Sequence, residues 1–404
     1  MVSLPSFLPF RGGRSPDSAK ASRAGGLIAF QSEGRARWTP RDYAALAREG
    51  YMRNPIVYRS VRMIAEAAAS VPLLLYDGAA ALDTHPLLSL LTRPNRRQAG
   101  ADLREALYGY LLVAGNAYLE AVSADGPPAE LFALRPDRMK VVPGADGWPE
   151  AYEYSVAGRT VRFAGEAGGA SPILHLSLFH PLDDYYGFAP IEAAQVALDL
   201  HNAAGAWNKA LLDNSARPSG ALIYQAKEGG NLSAEQFERL KAELEQGFTG
   251  PSRAGRPLLL EGGLDWRPMA LSPKDMDFLE AKNGAAREIA LAFGVPPMLL
   301  GIRGDNTYAN YKEANLAFWR GTVLPLVERT TAAIGAWLAP AFGESGTHEL
   351  RLVADSDQVY ALAGEREAAW ARVAAADFLT VNEKRAAVGY GPVAGGDGVG
   401  AERG

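Results

Sequence analysis

The chain contains no cysteine. This absence excludes disulfide bonds, thiolate nucleophiles and cysteine-ligated metal sites. Histidine is also scarce, and no pair has a spacing such as HExxH that would hold a metal ion. The five histidines are His85, His175, His180, His201 and His348. We therefore predict no metal site and no cofactor.

Long hydrophobic runs and an excess of positive charge are missing as well. No stretch of about 18 uninterrupted apolar residues occurs, so neither a membrane-spanning helix nor a membrane partner is expected. Residues 1–37 lack the apolar core of a secretory signal and are predicted to form a flexible arm. The formal net charge is −5, whereas a protein that grips DNA usually carries a basic face. The chain is expected to ignore nucleic acid or to touch it without holding it.

The composition of the chain is that of an ordinary globular protein. Its length of 404 residues is sufficient for two or more modules. In the first half, Asn54 precedes a proline at a helix start, and apolar residues recur at helical spacing until Val71-Pro72 ends the helix. A second helix is predicted from about Ala101 to Gly115. Strands are predicted at 73–76, 117–122, 138–142, 151–156, 159–163 and 173–178. This mixture predicts an α+β fold.

The second half is richer in long helices. An Ala-rich helix is predicted over 190–215, where small residues permit close packing, and another from Ser272 to Gly294. Between them, residues 220–271 predict a small β-α-β-β unit. Its helix begins with a capping box of Ser233 and Gln236, flanked by a hydrophobic staple of Leu232 and Phe237.

A polar loop at 301–307 precedes a very long predicted helix. This helix runs from about Tyr308 to Leu338, a length of roughly 45 Å at 1.5 Å per residue. Pro325 lies in its middle and is expected to kink it. A strand at 349–354 and C-terminal helices follow, and the glycine-rich tail from Gly391 is predicted to be disordered.

Some residues allow a catalytic interpretation beside a structural one. His180, Asp183 and Asp184 are either a general-base or metal cluster or, as we favour, a polar loop before a helix.

The glycine-bearing loop at 301–304 is not followed by the Lys-Ser/Thr pair of a phosphate-binding P-loop. Tyr308 and Tyr311 either stack on DNA or make the first core contacts of the long helix. Without a GxSxG motif, a cysteine or paired histidines, the sequence gives little support to an enzyme.

Nine strings in their order along the chain resemble the portal proteins of siphovirus-like phages. The resemblance covers about residues 40–392, and the number and order of the strings make it specific. The strings are NPIVYRSVRMIAEAAASVP (54–72), HPLLSLLTRPN (85–95), LLVAGNAYLE (111–120), LRPDRMKVV (134–142), IEAAQVAL (191–198), ARPSGALI (216–223), AKNGAAREIALAFGVPPMLLG (281–301), NTYANYKEANLAFWRGTVLPLVERT (306–330) and VNEKRAAVGYGP (381–392).

The resemblance implies the portal fold, with a wing, a two-helix stem, a small α/β clip, a tunnel loop with a long kinked helix, and a small helical crown. Carried onto this chain, the parts follow one another in sequence. They are a flexible arm at 1–37, the wing at 38–189, a stem helix at 190–215, the clip at 216–271, a second stem helix at 272–300, the tunnel loop at 301–309, the long kinked helix with a return strand at 310–355, and the crown with a disordered tail at 356–404.

The resemblance also implies roles for particular residues. The tunnel and DNA-facing set is Arg303, Asp305, Asn306, Thr307, Tyr308 and Lys312. The clip set expected to meet the motor or adaptor is Lys227, Glu228, Arg239 and Lys241. The stem-packing set is Ala194, Leu198, Gly205, Met276, Leu279 and Ala286, which either pack in the core of their own subunit or, as we favour, against neighbouring subunits. Arg320 is a further weak phosphate contact, and Glu313 offsets nearby positive charge.

The implied function is a ring-shaped channel, commonly of twelve copies, at one vertex of a capsid. The expected partners are further copies of the chain, the major capsid protein, the large terminase subunit, the head–tail adaptor and double-stranded DNA that passes without sequence recognition. The expected location is the virion, after assembly in the cytoplasm of a bacterial host. An infectious phage, a prophage or a gene transfer agent all fit. A non-channel structural adaptor is the alternative, and a hydrolase is a weaker one.

Overall fold

The computed structural model describes residues 38–398 except 79, 124–125, 165–170, 214–219, 225–232, 237, 240–241, 243–263, 269–277, 303, 305–307 and 344–349. The chain divides into two units. One, here called the body, contains Arg37–Trp207 and Asp277–Gly404, and the other, the insert, contains Asn208–Met276. The predicted arm at 1–37 and the end of the predicted tail lie outside the described residues.

The described helices follow one another from α1 to α11. They are α1 (Tyr43–Leu46), α2 (Pro55–Ser70), α3 (Pro86–Thr92), α4 (Gly100–Ala114), α5 (Pro190–Ala193), α6 (Gln195–Asp213), α7 (Phe278–Ala292), α8 (Tyr308–Phe318), α9 (Leu324–Phe342), α10 (Ala363–Ala374) and α11 (Val381–Ala387). Two π-helical turns, Ala47–Tyr51 and Trp319–Val323, follow α1 and α8 directly. Short 3₁₀ turns lie at Pro136–Arg138, Pro297–Leu300, Ser356–Gln358 and Tyr360–Leu362.

The described strands form small antiparallel sheets. They are β1 (Leu73–Asp77), β2 (Ala80–Leu82), β3 (Asn116–Val122), β4 (Glu130–Leu134), β5 (Met139–Pro143), β6 (Pro149–Val156), β7 (Arg159–Ala164), β8 (Ile173–Ser177), β9 (Gly220–Tyr224), β10 (Leu264–Pro268) and β11 (Leu350–Ala354). In the body the strand orders are β11-β1-β2, β4-β3-β8 and β5-β6-β7. In the first of these, Leu75 pairs with Leu352, so the chain ends of the body meet in one sheet.

Helix α2 begins and ends where the sequence predicts. The Asn54 side chain accepts hydrogen bonds from the backbone N–H groups of Ile56 and Val57 at 3.0 and 3.2 Å, and Pro55 occupies the first helical position. This arrangement satisfies N–H groups that have no partner inside the helix. The apolar face of α2 then packs against α4.

The main core of the body joins helices and strands that are distant in sequence. Its fully buried side chains include Ile64 of α2, Leu107 of α4, Leu198 of α6 and Ile289 of α7, together with Leu75 of β1. A second, smaller core contains Tyr118, Leu134, Met139 and Ile173 and holds the sheets β4-β3-β8 and β5-β6-β7 together. Burial of such apolar side chains is the main stabilising term of the fold.

The glycine that follows α4 permits a close crossing of two chain segments. Gly115 has a φ of +69°, and a Cβ atom at this position would lie 2.3 Å from the carbonyl oxygen of Gly187. The same loop is tied by a hydrogen bond of 2.8 Å from the N–H of Leu178 to the carbonyl oxygen of Gly115. Only glycine fits this left-handed and crowded position.

Several predicted elements need correction. Strands β2 and β4 were not predicted, and the helix predicted over 190–215 is divided at Ala194 and described as far as Asp213. The helix predicted from Ser272 is described from Phe278, and its end at Gly294, where φ is +66°, is confirmed. Residues 272–277 lie outside the described part of the chain.

The long helix after the polar loop is not one continuous α-helix, and the kink expected at Pro325 stays a prediction. Its regular hydrogen bonding is interrupted by the π-helical turn Trp319–Val323, and Pro325 follows in the first turn of α9. A missing N–H costs little in a first helical turn. The helix also continues past the predicted end, through Pro340 to Phe342.

The insert is described by its two strands and part of one helix. Strands β9 and β10 pair with Ile223 opposite Asp265. The predicted capping box is confirmed, because Ser233 N–H donates to Gln236 Oε1 at 3.0 Å and Gln236 N–H donates to Ser233 Oγ at 3.2 Å. Leu232, Phe237 and the further strand predicted at 257–260 lie outside the described residues.

Candidate functional site

Helix α6 presents three different sides. The first side faces the core of the body and carries Ala194 just before the helix, then Ala197, Leu198 and Ala204, all buried. Two residues predicted to pack in the stem, Ala194 and Leu198, therefore pack within their own body.

The second side of α6 is covered by the N-terminal segment of the body. Thr39 donates to the Asp199 carboxylate from its N–H, at 3.0 Å, and from its hydroxyl. The Gln195 side chain donates to the carbonyl oxygen of Thr39 and accepts from Arg41 Nε at 2.9 Å. These bonds fix the start of the described chain along α6.

A buried amide ties α2 to the core-facing side of α6. The Nδ2 group of Asn54 donates to His201 Nδ1 at 3.0 Å and to Asn202 Oδ1 at 2.9 Å, while the Oδ1 atom of Asn54 caps α2. Burial, with a further contribution from the charge of Lys282, lowers the pKa of His201. The lowered pKa keeps the His201 ring neutral, and only a neutral ring can accept a hydrogen bond at Nδ1.

A cleft of about 330 Å³ opens beside this network. Its lining combines apolar side chains with the His201 ring and Lys282. The main apolar lining residues are Ile56, Leu279, Ala286, Leu300 and Ile302. The cleft thus lies between the start of α2, the helix α7 and the turn at Pro297–Leu300, in a region of the chain that directly precedes the polar loop.

The predicted stem-packing residues on α7 and at Gly205 have different surroundings. Ala286 is buried and lines the cleft, whereas Leu279 lies at its rim with 61% of its surface exposed. A Cβ atom at Gly205 would lie 4.0 Å from Lys282 Nζ. Met276 lies outside the described residues.

The third side of α6 is apolar and exposed. Val196 and Leu200 are 56% and 51% exposed, and Ala203 is exposed as well. These residues are spaced by four and three positions, so they form one stripe along the helix. The heptad rhythm of the sequence could have revealed a second apolar stripe, but the rhythm does not say which stripe faces the subunit's own core.

Most of the predicted tunnel residues lie outside the described part of the chain, namely Arg303, Asp305, Asn306 and Thr307. Tyr308 begins α8, and Lys312 on the same helix is exposed. Tyr311 is 51% exposed, so about half of its surface is covered within this chain, and both interpretations of this residue stay predictions. Gly304 lies near α7, where a Cβ atom would come within 3.3 Å of the Arg287 guanidinium.

The other charged residues singled out from the sequence are placed as follows. Arg320 is exposed and pairs with Glu365 of α10, and Glu313 is exposed on α8. Arg239 of the insert is exposed, while Lys227, Glu228 and Lys241 lie outside the described residues.

In the loop at 180–187, the side chains of His180 and Asp183 accept hydrogen bonds from the backbone of the loop itself. His180 Nδ1 accepts from the N–H of Leu182 at 3.0 Å, and Asp183 Oδ1 accepts from the N–H groups of Tyr185 and Tyr186 at 2.8 and 2.9 Å. Side chains that bond their own loop in this way are typical of turns. The favoured interpretation as a polar loop is consistent with these bonds.

The described ranges contain no group of three or more His, Asp and Glu side chains placed to hold a metal ion. They also contain no helix both long and apolar enough to cross a lipid bilayer.

A buried aromatic cluster, which the sequence did not reveal, lies between two sheets. The His175 ring stacks on Tyr118 with 4.3 Å between centroids and contacts the edge of Tyr152. His175 Nε2 lies 2.9 Å from Asn116 Oδ1, which also accepts from the N–H of Gly187. Because Asn116 Oδ1 is an acceptor, Nε2 carries the proton. Burial lowers the pKa of His175 to about 4.

Comparison with known proteins gives consistent matches over most of the chain. The model of the family described as "Phage portal protein" matches residues 55–389. A protein of Rickettsia bellii (strain RML369-C) is 46% identical over 352 residues, which make up 86% of this chain and 90% of the relative. The portal protein of Enterobacteria phage HK97 is 25% identical over 362 residues, or 86% of this chain and 81% of that protein.

A solved structure extends the likeness to three dimensions. It is described as the "Neck of native GTA particle computed with C12 symmetry", where GTA stands for gene transfer agent. One of its chains is 55% identical to this chain and superposes with a TM-score of 0.67. The match covers 89% of this chain and 97% of that chain.

Proposed function

We propose, from the premise that this chain belongs to the phage portal protein family, that its copies form a ring-shaped channel at one capsid vertex. DNA enters the capsid through this ring during packaging and leaves through it later. The observation that carries the proposal is the 55% identical chain in a particle neck computed with twelve-fold symmetry. The same identity favours a particle of the gene transfer agent type as the parent.

The charge of the chain is compatible with a conduit. A channel must let a duplex slide, whereas a basic face would hold it through counterion release. The formal net charge is −5, and the exposed Lys312 on α8 is followed directly by the exposed Glu313. Arg320 pairs with Glu365, which reduces its attraction for phosphate. The DNA contact proposed for residues 303–312 is accordingly weak and independent of sequence.

The proposed parts follow the boundaries given above: a wing at 38–189, stem helices at 190–215 and 272–300, a clip at 216–271, a tunnel loop at 301–309 and a small crown from 356. The division of the chain into a body and an insert supports a clip formed by a segment of its own. Through the clip, with Lys227, Glu228, Arg239 and Lys241, the ring meets the large terminase subunit and later the head–tail adaptor. The chain itself has no proposed catalytic role.

The decisive measurement is the mass and shape of the purified protein by native mass spectrometry and negative-stain imaging. Closed rings of about twelve copies with a central hole wide enough for duplex DNA are expected. If the protein remains a monomer at every concentration and no capsid partner induces rings, the channel is refuted. A complex with capsid proteins but without a hole would favour the adaptor instead.

Binding of the motor gives a separate test of the clip. Replacing residues 220–271 with a short linker is expected to leave the fold of the body intact and to abolish binding of the large terminase subunit. The matched control is a charge-reversal set in the body, at exposed Lys312 and Glu313, which should leave that binding unchanged. Undiminished binding after excision would place the motor contact elsewhere.

A further inference from the structure

The exposed stripe on α6, here called the ridge, consists of Val196, Leu200 and Ala203. More than half of the surface of Val196 and of Leu200 is open to solvent, although Ala197, Leu198, His201 and Ala204 on the same helix are buried. Single exposed apolar residues are ordinary, but several on one face of a helix mark a contact surface. The ridge carries no charged side chain, so a partner can cover it without burying an unpaired charge.

Between Gln195 and Ala204, the other sides of α6 are occupied. Ala197 and Leu198 belong to the core of the body, Ala204 is buried, and the segment with Thr39 and Arg41 covers the side of Gln195 and Asp199. At 100° per residue, the ridge lies about 130° around the helix from His201, which faces the cleft. Ridge and cleft are therefore on opposite sides of one helix.

The cleft is complementary to the ridge, because it is a recess with mainly apolar walls. Its walls include the apolar side chains of Ile56, Ala286, Leu300 and Ile302, and Leu279 at its rim is mostly exposed. An apolar knob that entered the cleft would cover Leu279 and would leave Lys282 able to point to solvent, as long basic side chains do at an interface.

We infer that the ridge of one copy packs into the cleft of the next copy in the ring. This inference rests on the proposed ring. A closed ring needs a head-to-tail interface, so every copy must present two different surfaces that fit each other. The twelve-fold neck that contains the 55% identical chain has this kind of symmetry. An apolar ridge and an apolar cleft on opposite sides of α6 meet the requirement.

Disulfide trapping tests the pairing directly, because the natural chain has no cysteine. The full-length double variant Leu200→Cys with Leu279→Cys is assembled, oxidised mildly and examined on a non-reducing gel. A disulfide forms only where the two Cβ atoms come within about 4 Å. We expect a ladder of covalent oligomers that forms at least about fivefold faster than in the control, since random collisions rarely reach that geometry.

The matched control is Leu200→Cys with Leu291→Cys. Leu291 lies on the same helix as Leu279 and is 78% exposed, but it is not part of the cleft. A second pair of variants, Leu200→Lys and Leu291→Lys, places a positive charge on two exposed leucines. Leu200→Lys is expected to reduce the ring fraction at least about tenfold, because it brings a second cation into the cleft that contains Lys282, whereas Leu291→Lys keeps the rings.

The outcomes separate the inference from the proposed function. Fast cross-linking of only the first double variant supports the ridge-to-cleft contact. Rings without such cross-linking, or undiminished rings of the Leu200→Lys variant, overturn the inference and leave the channel in place. If the unaltered protein forms no rings even with its capsid partners, the channel and the inference both fail.

Discussion

Asn54 joins three parts of the chain through one side chain. Its oxygen caps α2, and its nitrogen donates to His201 and Asn202 of α6. The sequence predicted the cap, because a cap depends on neighbours in the chain. It could not predict the two bonds to α6, because they join residues almost 150 positions apart.

Replacing Asn54 with alanine tests this combination. The variant loses the cap and leaves buried acceptors without a donor, so the free energy of unfolding should fall by about 2–4 kcal/mol. The control is Thr380→Ala, which removes the exposed cap of α11 and should cost about 1 kcal/mol. Urea unfolding of both variants measures the difference, and equal losses would mean that the bonds to His201 and Asn202 add nothing.

His175 makes stability depend on pH. Its pKa is about 4 in the folded protein because of burial, against about 6.5 in an unfolded chain. Between these values the unfolded chain binds a proton that the folded protein excludes. The histidine contribution is therefore fully favourable above pH 6.5 and is lost as the pH falls towards 4. The pKa of His201 is shifted in the same direction and adds to the effect.

The corresponding experiment is urea unfolding at pH 7 and pH 5. The unaltered protein should lose about 1–2 kcal/mol more between these values than the variant His175→Gln, which retains a donor towards Asn116 but does not titrate. The control His180→Gln, in the polar loop, should behave like the unaltered protein. A His175→Gln variant with the same pH dependence as the unaltered protein would contradict the assignment.

At the scale of whole elements, a helix or strand boundary could be predicted where the residues that determine it are neighbours in the sequence. Helix α2, the capping box of Ser233 and the end of α7 at Gly294 were predicted, because each boundary is written in adjacent residues. Strand β4 was missed because its five residues have no clear alternation and depend on pairing with β3. The π-helical turn Trp319–Val323 was not predicted, although the irregularity expected from Pro325 lies close to it, since a proline ring clashes with the carbonyl group four residues earlier, here that of Gly321.

The contacts of that turn show what holds it. Val323 is fully buried, and the Thr322 hydroxyl donates to the carbonyl oxygen of Gly294 at 2.6 Å. Val323→Ala should therefore lower the free energy of unfolding by about 1–3 kcal/mol. Pro325→Ala should change it by less than about 1 kcal/mol, because Pro325 stands in a first helical turn. Thermal unfolding compares the two, and a larger effect of Pro325→Ala would make the proline ring the cause of the turn.

Helix α6 illustrates a limit of periodicity. The pattern of α6 correctly indicates a helix with closely spaced small residues, but it contains two apolar stripes. The stripe of Ala194 and Leu198 faces the body core, and the stripe of Val196 and Leu200 faces outwards. Only the fold distinguishes them, since burial depends on what other parts of the chain cover.

At the scale of the whole molecule, the loop between α7 and α8 is proposed to face DNA. Deleting residues 304–307 should leave rings intact and impair DNA packaging, measured as nuclease-protected DNA per particle. The control removes the four residues 401–404, a deletion of the same length, which should affect neither. Failure of the first variant to fold would place the loop in the core and refute the proposed role.

The family could be predicted from the sequence, but the number of copies and the identity of touching surfaces could not. The family is indicated by strings distributed along the chain, and the family match over residues 55–389 agrees. Copy number depends on the angle between neighbours, which small differences in an interface alter. No single sequence motif determines the angle between neighbouring subunits.

The pairing of β1 with β11 has a consequence for the timing of folding on the ribosome. Leu75 and its partner Leu352 are separated by nearly 280 residues. At about 5–20 residues per second, the first strand waits roughly 15–60 s for its partner to be synthesised. During that interval the apolar side chains of β1 lack their final cover, and the nascent chain is a substrate for chaperones. A subunit can complete this sheet only near the end of translation, once the residues of β11 have been synthesised.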